Sequence, residues 1–121
     1  MSQIEFDTGS LPSALIARPA GDVDMAVTPA MQDELLAAVG EHGAGCLVID
    51  LGNVEYIDSS GIELLFRVLG SLTDESVDLI VVAPQGSSAA RLLGMVALDD
   101  IGAIRGSLAE ALNTCGDPEA H

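Results

Sequence analysis

Between Cys46 and Leu69 the chain reads Cys-Leu-Val-Ile-Asp-Leu-Gly-Asn-Val-Glu-Tyr-Ile-Asp-Ser-Ser-Gly-Ile-Glu-Leu-Leu-Phe-Arg-Val-Leu, and no other segment restricts the fold as strongly. Leu47, Val48 and Ile49 are apolar without alternation, as a strand covered on both faces requires, so this strand is expected at the centre of a sheet. After a short turn, Ile62, Leu65, Phe66 and Leu69 recur on one stripe of a helix expected to end near Gly70 and Ser71. The first turn of that helix holds two hydroxyls, Ser59 and Ser60, behind Asp58. A phosphate added there would meet the positive end of the helix dipole and be felt at once.

The flanking segments extend the pattern. Gln3 to Asp7 and Ala14 to Ala20 read as short strands around a Gly9-Ser10-Leu11-Pro12 turn, and Pro19 places the second at or near a sheet edge. Gly21-Asp22-Val23-Asp24 breaks the pattern. Thr28-Pro29 then reads as an N-cap followed by a first-turn proline, opening a helix with Met31, Leu35, Ala38 and Val39 on one face up to Gly40. Apart from Asp78, Val77 to Ala83 repeats the continuous apolar pattern, closed by Pro84-Gln85-Gly86, and a helix is expected from about Ser88 to Met95. Ile101 to Ile104 is a candidate last strand. Ser107-Leu108-Ala109-Glu110 is a capping-box pattern opening a final helix that fades into a polar tail over 113–121. Strands alternating with about four helices predict an α/β fold: a mixed, largely parallel β-sheet with an antiparallel N-terminal hairpin.

A length of 121 residues suits one domain with one core, expected over 1–121. Aromatics are confined to Phe6, Tyr56 and Phe66, so the core must be packed from Leu, Val, Ile and Ala. Nineteen acidic residues against four arginines and no lysine give a net charge of −15, which repels nucleic-acid backbones and anionic bilayers. A salty cytoplasm and an arginine-preferring genome would both produce this balance. No apolar run approaches the ~20 residues of a membrane span, and no charged start leads into one, so a cytoplasmic protein is expected. Cys46 and Cys115 match no zinc or thioredoxin-like spacing; reduced structural thiols are expected, with a redox-linked pair as the alternative.

Two readings compete for the start of the second helix. Ser60-Gly61-Ile62-Glu63 is itself a capping-box pattern, in which case the Ser60 oxygen is occupied by backbone N–H groups and structure alone explains it. If Asp58 caps instead, Ser60 lies in the first turn with its hydroxyl free near unpaired N–H groups. At 100° per residue, Ser60, Leu64, Arg67 and Ser71 fall almost opposite the apolar stripe. Leu64 then needs either a second covering layer or a partner. Glu63 and Arg67 are four apart, able to pair for about 0.3–0.5 kcal/mol and to set charge on a docking face, or simply to be solvated.

The Asp58-Ser59-Ser60-Gly61 turn in this setting resembles the STAS family, the domain shared by anti-sigma factor antagonists and sulfate transporter tails, and the likeness runs from about Ala14 to Leu112. Thr28-Pro29, Arg91-Leu92-Leu93 and the segment from Ser107 to Leu112 also fit, whereas Pro19, the absent lysines and the short Ile101–Ile104 strand match less well. The resemblance implies an anti-anti-sigma factor with Ser60 as phosphoacceptor for a GHKL-type anti-sigma factor serine kinase. It implies Asp24 as a neighbour of that site, and Asp58, Ser59, Gly61, Ile62, Leu64 and Arg67 as the rest of the partner-binding set. A metal-dependent serine phosphatase would reset the cycle, the sigma factor would be affected indirectly, and ATP would belong to the kinase; a homodimer is left open.

No catalytic residue, metal ligand or cofactor of the chain's own is expected. Asp50 ends a strand as a receiver phosphoacceptor does, but the lysine such a site uses is absent. The histidines, His42 and His121, stand in a glycine-rich loop and at the terminus, with no Gly-x-Ser-x-Gly elbow or phosphate-cradling Gly-x-x-x-x-Gly-Lys loop to serve. The alternative to a sigma-pathway antagonist is a scaffold of a stress-sensing assembly or an accessory subunit of a lipid or anion transporter.

Overall fold

The computed structural model describes residues 4–8, 14–94 and 103–116; Gln3, the Gly9 to Pro12 turn, Met95, Ile101 and residues 117–121 lie outside them. In chain order the elements are β1 (Ile4–Asp7), β2 (Ala14–Pro19), β3 (Gly21–Val23), α1 (Thr28–His42), β4 (Cys46–Asp50), β5 (Val54–Ile57), α2 (Ser59–Asp74), β6 (Asp78–Val82), α3 (Ser88–Leu93), β7 (Ala103–Arg105) and α4 (Leu108–Gly116). The main sheet has the order β1-β2-β4-β6-β7, with β1 antiparallel to β2 and the remaining pairs parallel. The mixed α/β architecture, its opening hairpin and its four helices are as expected from the sequence.

β4 is the middle strand, and its register explains its continuous apolar run. Leu15, Leu47 and Leu79 align across the sheet on one face, and Ile16, Val48 and Ile80 on the other. The first face meets α1, α2 and α3 in the larger core cluster. The second is covered by Leu108, Ala111, Leu112 and Cys115 of α4. Leu47, Val48 and Val81 are 0% exposed, so each contributes about 1.5–3 kcal/mol through the hydrophobic effect.

β2 lies near the edge, one strand in from β1; Pro19 is tolerated because only Ala14 to Ala17 pair with β4, leaving no ladder on that side to need its N–H. Several expectations are corrected. Gly21 to Val23 is a strand, and with β5 it forms a separate two-stranded parallel sheet. Its register shifts between Gly21 and Asp22, placing Glu55 as an extra residue on β5. That bulge turns both Val54 and Ile57 inward, which erases the period-two signal. Thr28 does not cap α1: Val27 is the cap residue without a side-chain bond, and Thr28 is buried inside the helix. Asp24 organises that turn instead, its Oδ1 accepting from Ala26 N–H and its carbonyl from Val27 and Thr28 N–H. α1 runs past Gly40 to His42 and stops at Gly43, whose φ of 61° suits a residue without a Cβ.

The buried face of α2 is also rotated from the expected stripe. Gly61, Ile62, Leu64, Leu65, Val68 and Leu72 are buried, whereas Phe66 is 38% exposed and Leu69 only partly covered. The cause lies at Gly61, where a Cβ would sit 2.5 Å from Ile57 Cγ1 and 3.2 Å from Val23 Cγ1. The helix start is pressed onto the β3–β5 pair, a contact only glycine permits. The helix continues beyond Gly70 and Ser71 to Asp74.

The cysteines are not free thiols. Cys46 and Cys115 form a disulfide, because residues 113–116 of the expected polar tail continue α4 and carry Cys115 onto the sheet face that holds Cys46.

Candidate functional site

The site forms where β5 delivers the chain into α2. β3 and β5 run parallel with Val23 opposite Ile57, so Asp24 and Asp58 leave the same end of the small sheet as neighbours in register. The Asp58 N–H donates to Val23 O at 3.3 Å, tying the start of α2 to the strand that precedes Asp24.

Asp58 is extended and caps α2. Its Oδ1 accepts from Ser60 N–H at 2.9 Å, and its carbonyl accepts from Gly61 N–H at 3.0 Å and Ile62 N–H at 3.4 Å. Most of the first-turn donors are therefore satisfied by this one residue. The choice between Asp58 and Ser60 as cap is thus resolved for Asp58, but Ser60 is not left with a free hydroxyl. Its Oγ donates to the same Asp58 Oδ1 at 2.5 Å. This hydroxyl is the leading cause holding the Asp58 carboxyl below the ordinary aspartate value; desolvation opposes it, and the Ser60 and Gly61 amides reinforce it.

The other residues separate into surface and interior. Ser59 is exposed and Ser60 half-buried. Arg67 lies 3.9 Å from Glu63 with both side chains more than half exposed, the helical spacing realised as a loose surface pair. Gly61, Ile62 and Leu64 are buried, Ile62 6% and Leu64 4% exposed. A docking role for the Leu64 side chain is therefore corrected. α1 supplies the second layer, since Leu64 joins Met31 and Leu35 in the core.

Sequence reasoning passed over Met25, which is 76% exposed immediately after Asp24, and Tyr56, 53% exposed on β5. An apolar residue following Gly-Asp-Val-Asp in a loop was the available signal for Met25. Among the described residues no group of three or more His, Cys, Asp or Glu is placed to hold a metal ion, and no helix is long and apolar enough to cross a membrane. A small apolar pocket of about 10 Å³, lined by Val23, Met31, Leu35, Ile57, Gly61 and Leu64, lies beside the helix start.

The chain is 25% identical to an anti-sigma factor antagonist from Mycobacterium paratuberculosis, with a TM-score of 0.81 over 94% of this chain and 93% of that one. The Bacillus cell fate determinant SpoIIAA in its phosphorylated form shares the fold at 14% identity and a TM-score of 0.65, over 91% and 96% of the two chains. So does a serine-to-glutamate variant of RsbS from Moorella thermoacetica, at 18% identity and a TM-score of 0.64 over 95% and 96%. The STAS domain profile matches residues 5–111, and the chain belongs to the STAS domain family.

Proposed function

We propose that this protein is an anti-anti-sigma factor. Its unphosphorylated form binds an anti-sigma factor serine kinase of the GHKL type and displaces a sigma factor, and phosphorylation of Ser60 ends that binding. The observation that carries the reading is the position of the half-buried Ser60 in the first turn of α2, its Oγ hydrogen-bonded to the capping carboxylate of Asp58. The likeness to the mycobacterial antagonist supports the same role.

The hydroxyl works as a local charge gate. When Ser60 Oγ attacks the γ-phosphorus of ATP, the Oγ–P bond forms, ADP leaves, and the hydroxyl proton is lost. The donor to Asp58 Oδ1 disappears with it. A group of about −1.5 to −2 charges then stands beside a carboxylate already held ionised, with Asp24 on the neighbouring loop. A kinase surface fitted to a neutral hydroxyl must then accommodate a solvated dianion. A penalty of about 3 kcal/mol weakens binding roughly a hundredfold. The docking surface consists of Asp24, Asp58, Ser59, Ser60 and Arg67, while Gly61, Ile62 and Leu64 set the height of the helix from within. A serine phosphatase restores the binding form.

Incubation with ATP and the cognate anti-sigma kinase, followed by mass spectrometry, tests the reading. Phosphate is expected on Ser60 and absent from Ser60→Ala. Ser60→Asp should lose kinase affinity with an unchanged circular dichroism spectrum; equal affinity would exclude the charge gate. An unlabelled chain that co-purifies with a permease or a large assembly would instead identify a scaffold or transporter accessory subunit.

A further inference from the structure

The Cys46–Cys115 bridge has no part in the phosphorylation site and joins two unequal partners. Cys46 opens the central strand and is 2% exposed. Cys115 lies in the last turn of α4 and is half-buried. The two are 69 residues apart in sequence, and they are the only cysteines in the chain, so the bond has no competing pairing.

α4 spans nine residues, below the roughly 12–15 at which an isolated helix becomes even marginally stable, and so depends on its attachments. At its start Ser107 Oγ accepts from Glu110 N–H at 3.2 Å, and Glu110 Oε2 accepts from Gly106 N–H at 3.3 Å. Towards its end Thr114 Oγ1 accepts from Arg105 Nε at 3.0 Å. One apolar stripe, Leu108, Ala111, Leu112 and Cys115, rests on Ile16, Val48, Ile80 and Val82. The N-terminal turn thus has its own cap, whereas the C-terminal turn is held to the sheet by the Arg105–Thr114 hydrogen bond and, covalently, by the disulfide.

We infer that Cys46 and Cys115 are a reversible dithiol–disulfide couple that latches α4 over the second face of the sheet. A thiolate of a dithiol reductant attacks the more accessible Cys115 Sγ, forming a mixed disulfide, and Cys46 leaves as a thiolate that takes up a proton. The second thiol of the reductant attacks the mixed disulfide and releases Cys115, and the reductant is left as the disulfide. Two electrons pass to the protein. The reduced helix keeps its cap but loses the covalent anchor at its far end, where the single Arg105–Thr114 hydrogen bond is left to hold the last turn, and the apolar strip beneath it opens to water more readily. This inference is independent of any phosphorylation of Ser60.

Hydrogen exchange on the full chain, oxidised, reduced with dithiothreitol, and reoxidised, tests the latch. The amides of 111–116 are expected to exchange at least tenfold faster on reduction, beyond any change in β4 and β6, and to recover on reoxidation. Cys115→Ser should match the reduced protein without reductant. Equal protection of α4 in both redox states would overturn the inference. So would a loss of the same factor in α4 and β4, which would make the bond a staple of the whole fold, or full α4 protection in Cys115→Ser.

Discussion

Asp58 and Ser60 are joined through a single oxygen: Asp58 Oδ1 accepts both the Ser60 amide at 2.9 Å and the Ser60 hydroxyl at 2.5 Å. The residue that caps the helix and the residue proposed to be modified are therefore one hydrogen-bonded unit. A change in either is felt by the other.

That unit should be visible in a titration. Asp58 has its pKa lowered in the folded state, chiefly by the Ser60 hydroxyl, so its ionised form favours folding. The contribution is fully present above the ordinary aspartate value and is lost as pH falls from that value through the folded one. Carboxyl chemical shifts across acid pH should show Asp58 titrating below a typical aspartate, and Ser60→Ala should move it upward. An unmoved Asp58 midpoint in Ser60→Ala would show that the hydroxyl is not its main partner.

Gly61→Ala tests the close approach of α2 to β5. The new methyl would fall 2.5 Å from Ile57 Cγ1 and 2.7 Å from Ile57 Cδ1, forcing a shift in a packed core. A loss of about 1–3 kcal/mol is expected in urea unfolding. Combined with Ile57→Ala the two losses should be less than additive, because the second change removes the clashing atoms.

Leu64 and Arg67 lie within one turn of each other and should behave oppositely. Leu64→Ala removes a side chain that is 4% exposed and should cost about 2–5 kcal/mol, seen as a large fall in melting temperature. Arg67→Ala breaks only an exposed pair at 3.9 Å and should change stability by less than about 0.5 kcal/mol.

Met25→Ser separates folding from binding under the proposed function. At 76% exposure its removal should leave the melting temperature within about 2 °C, whereas affinity for the kinase should fall about tenfold if the side chain enters the interface. Unchanged affinity measured by calorimetry would show that Met25 makes no contact with the kinase.

Much of this was legible along the chain. The short apolar runs Leu47 to Ile49 and, apart from Asp78, Val77 to Ala83 pointed to two interior strands, because a strand covered on both faces carries no alternation and the bounding turns leave no room for a helix. Turn chemistry placed the Ser107 cap, and the Asp-Ser-Ser-Gly turn is where the site is proposed. Three matters needed the third dimension. The β3–β5 pair was hidden because a bulge at Glu55 breaks the alternation that reveals a strand. Ideal helical projection left Leu64 open between a covering layer and a partner and misassigned Phe66, since the rotation of α2 depends on how closely Gly61 meets Ile57 and Val23. Cys115 found Cys46 only through the docking of α4. Periodicity is a property of neighbours in sequence, so it determines which elements form; which face each one buries, and which distant atoms meet, depends on contacts that the order of residues does not encode locally.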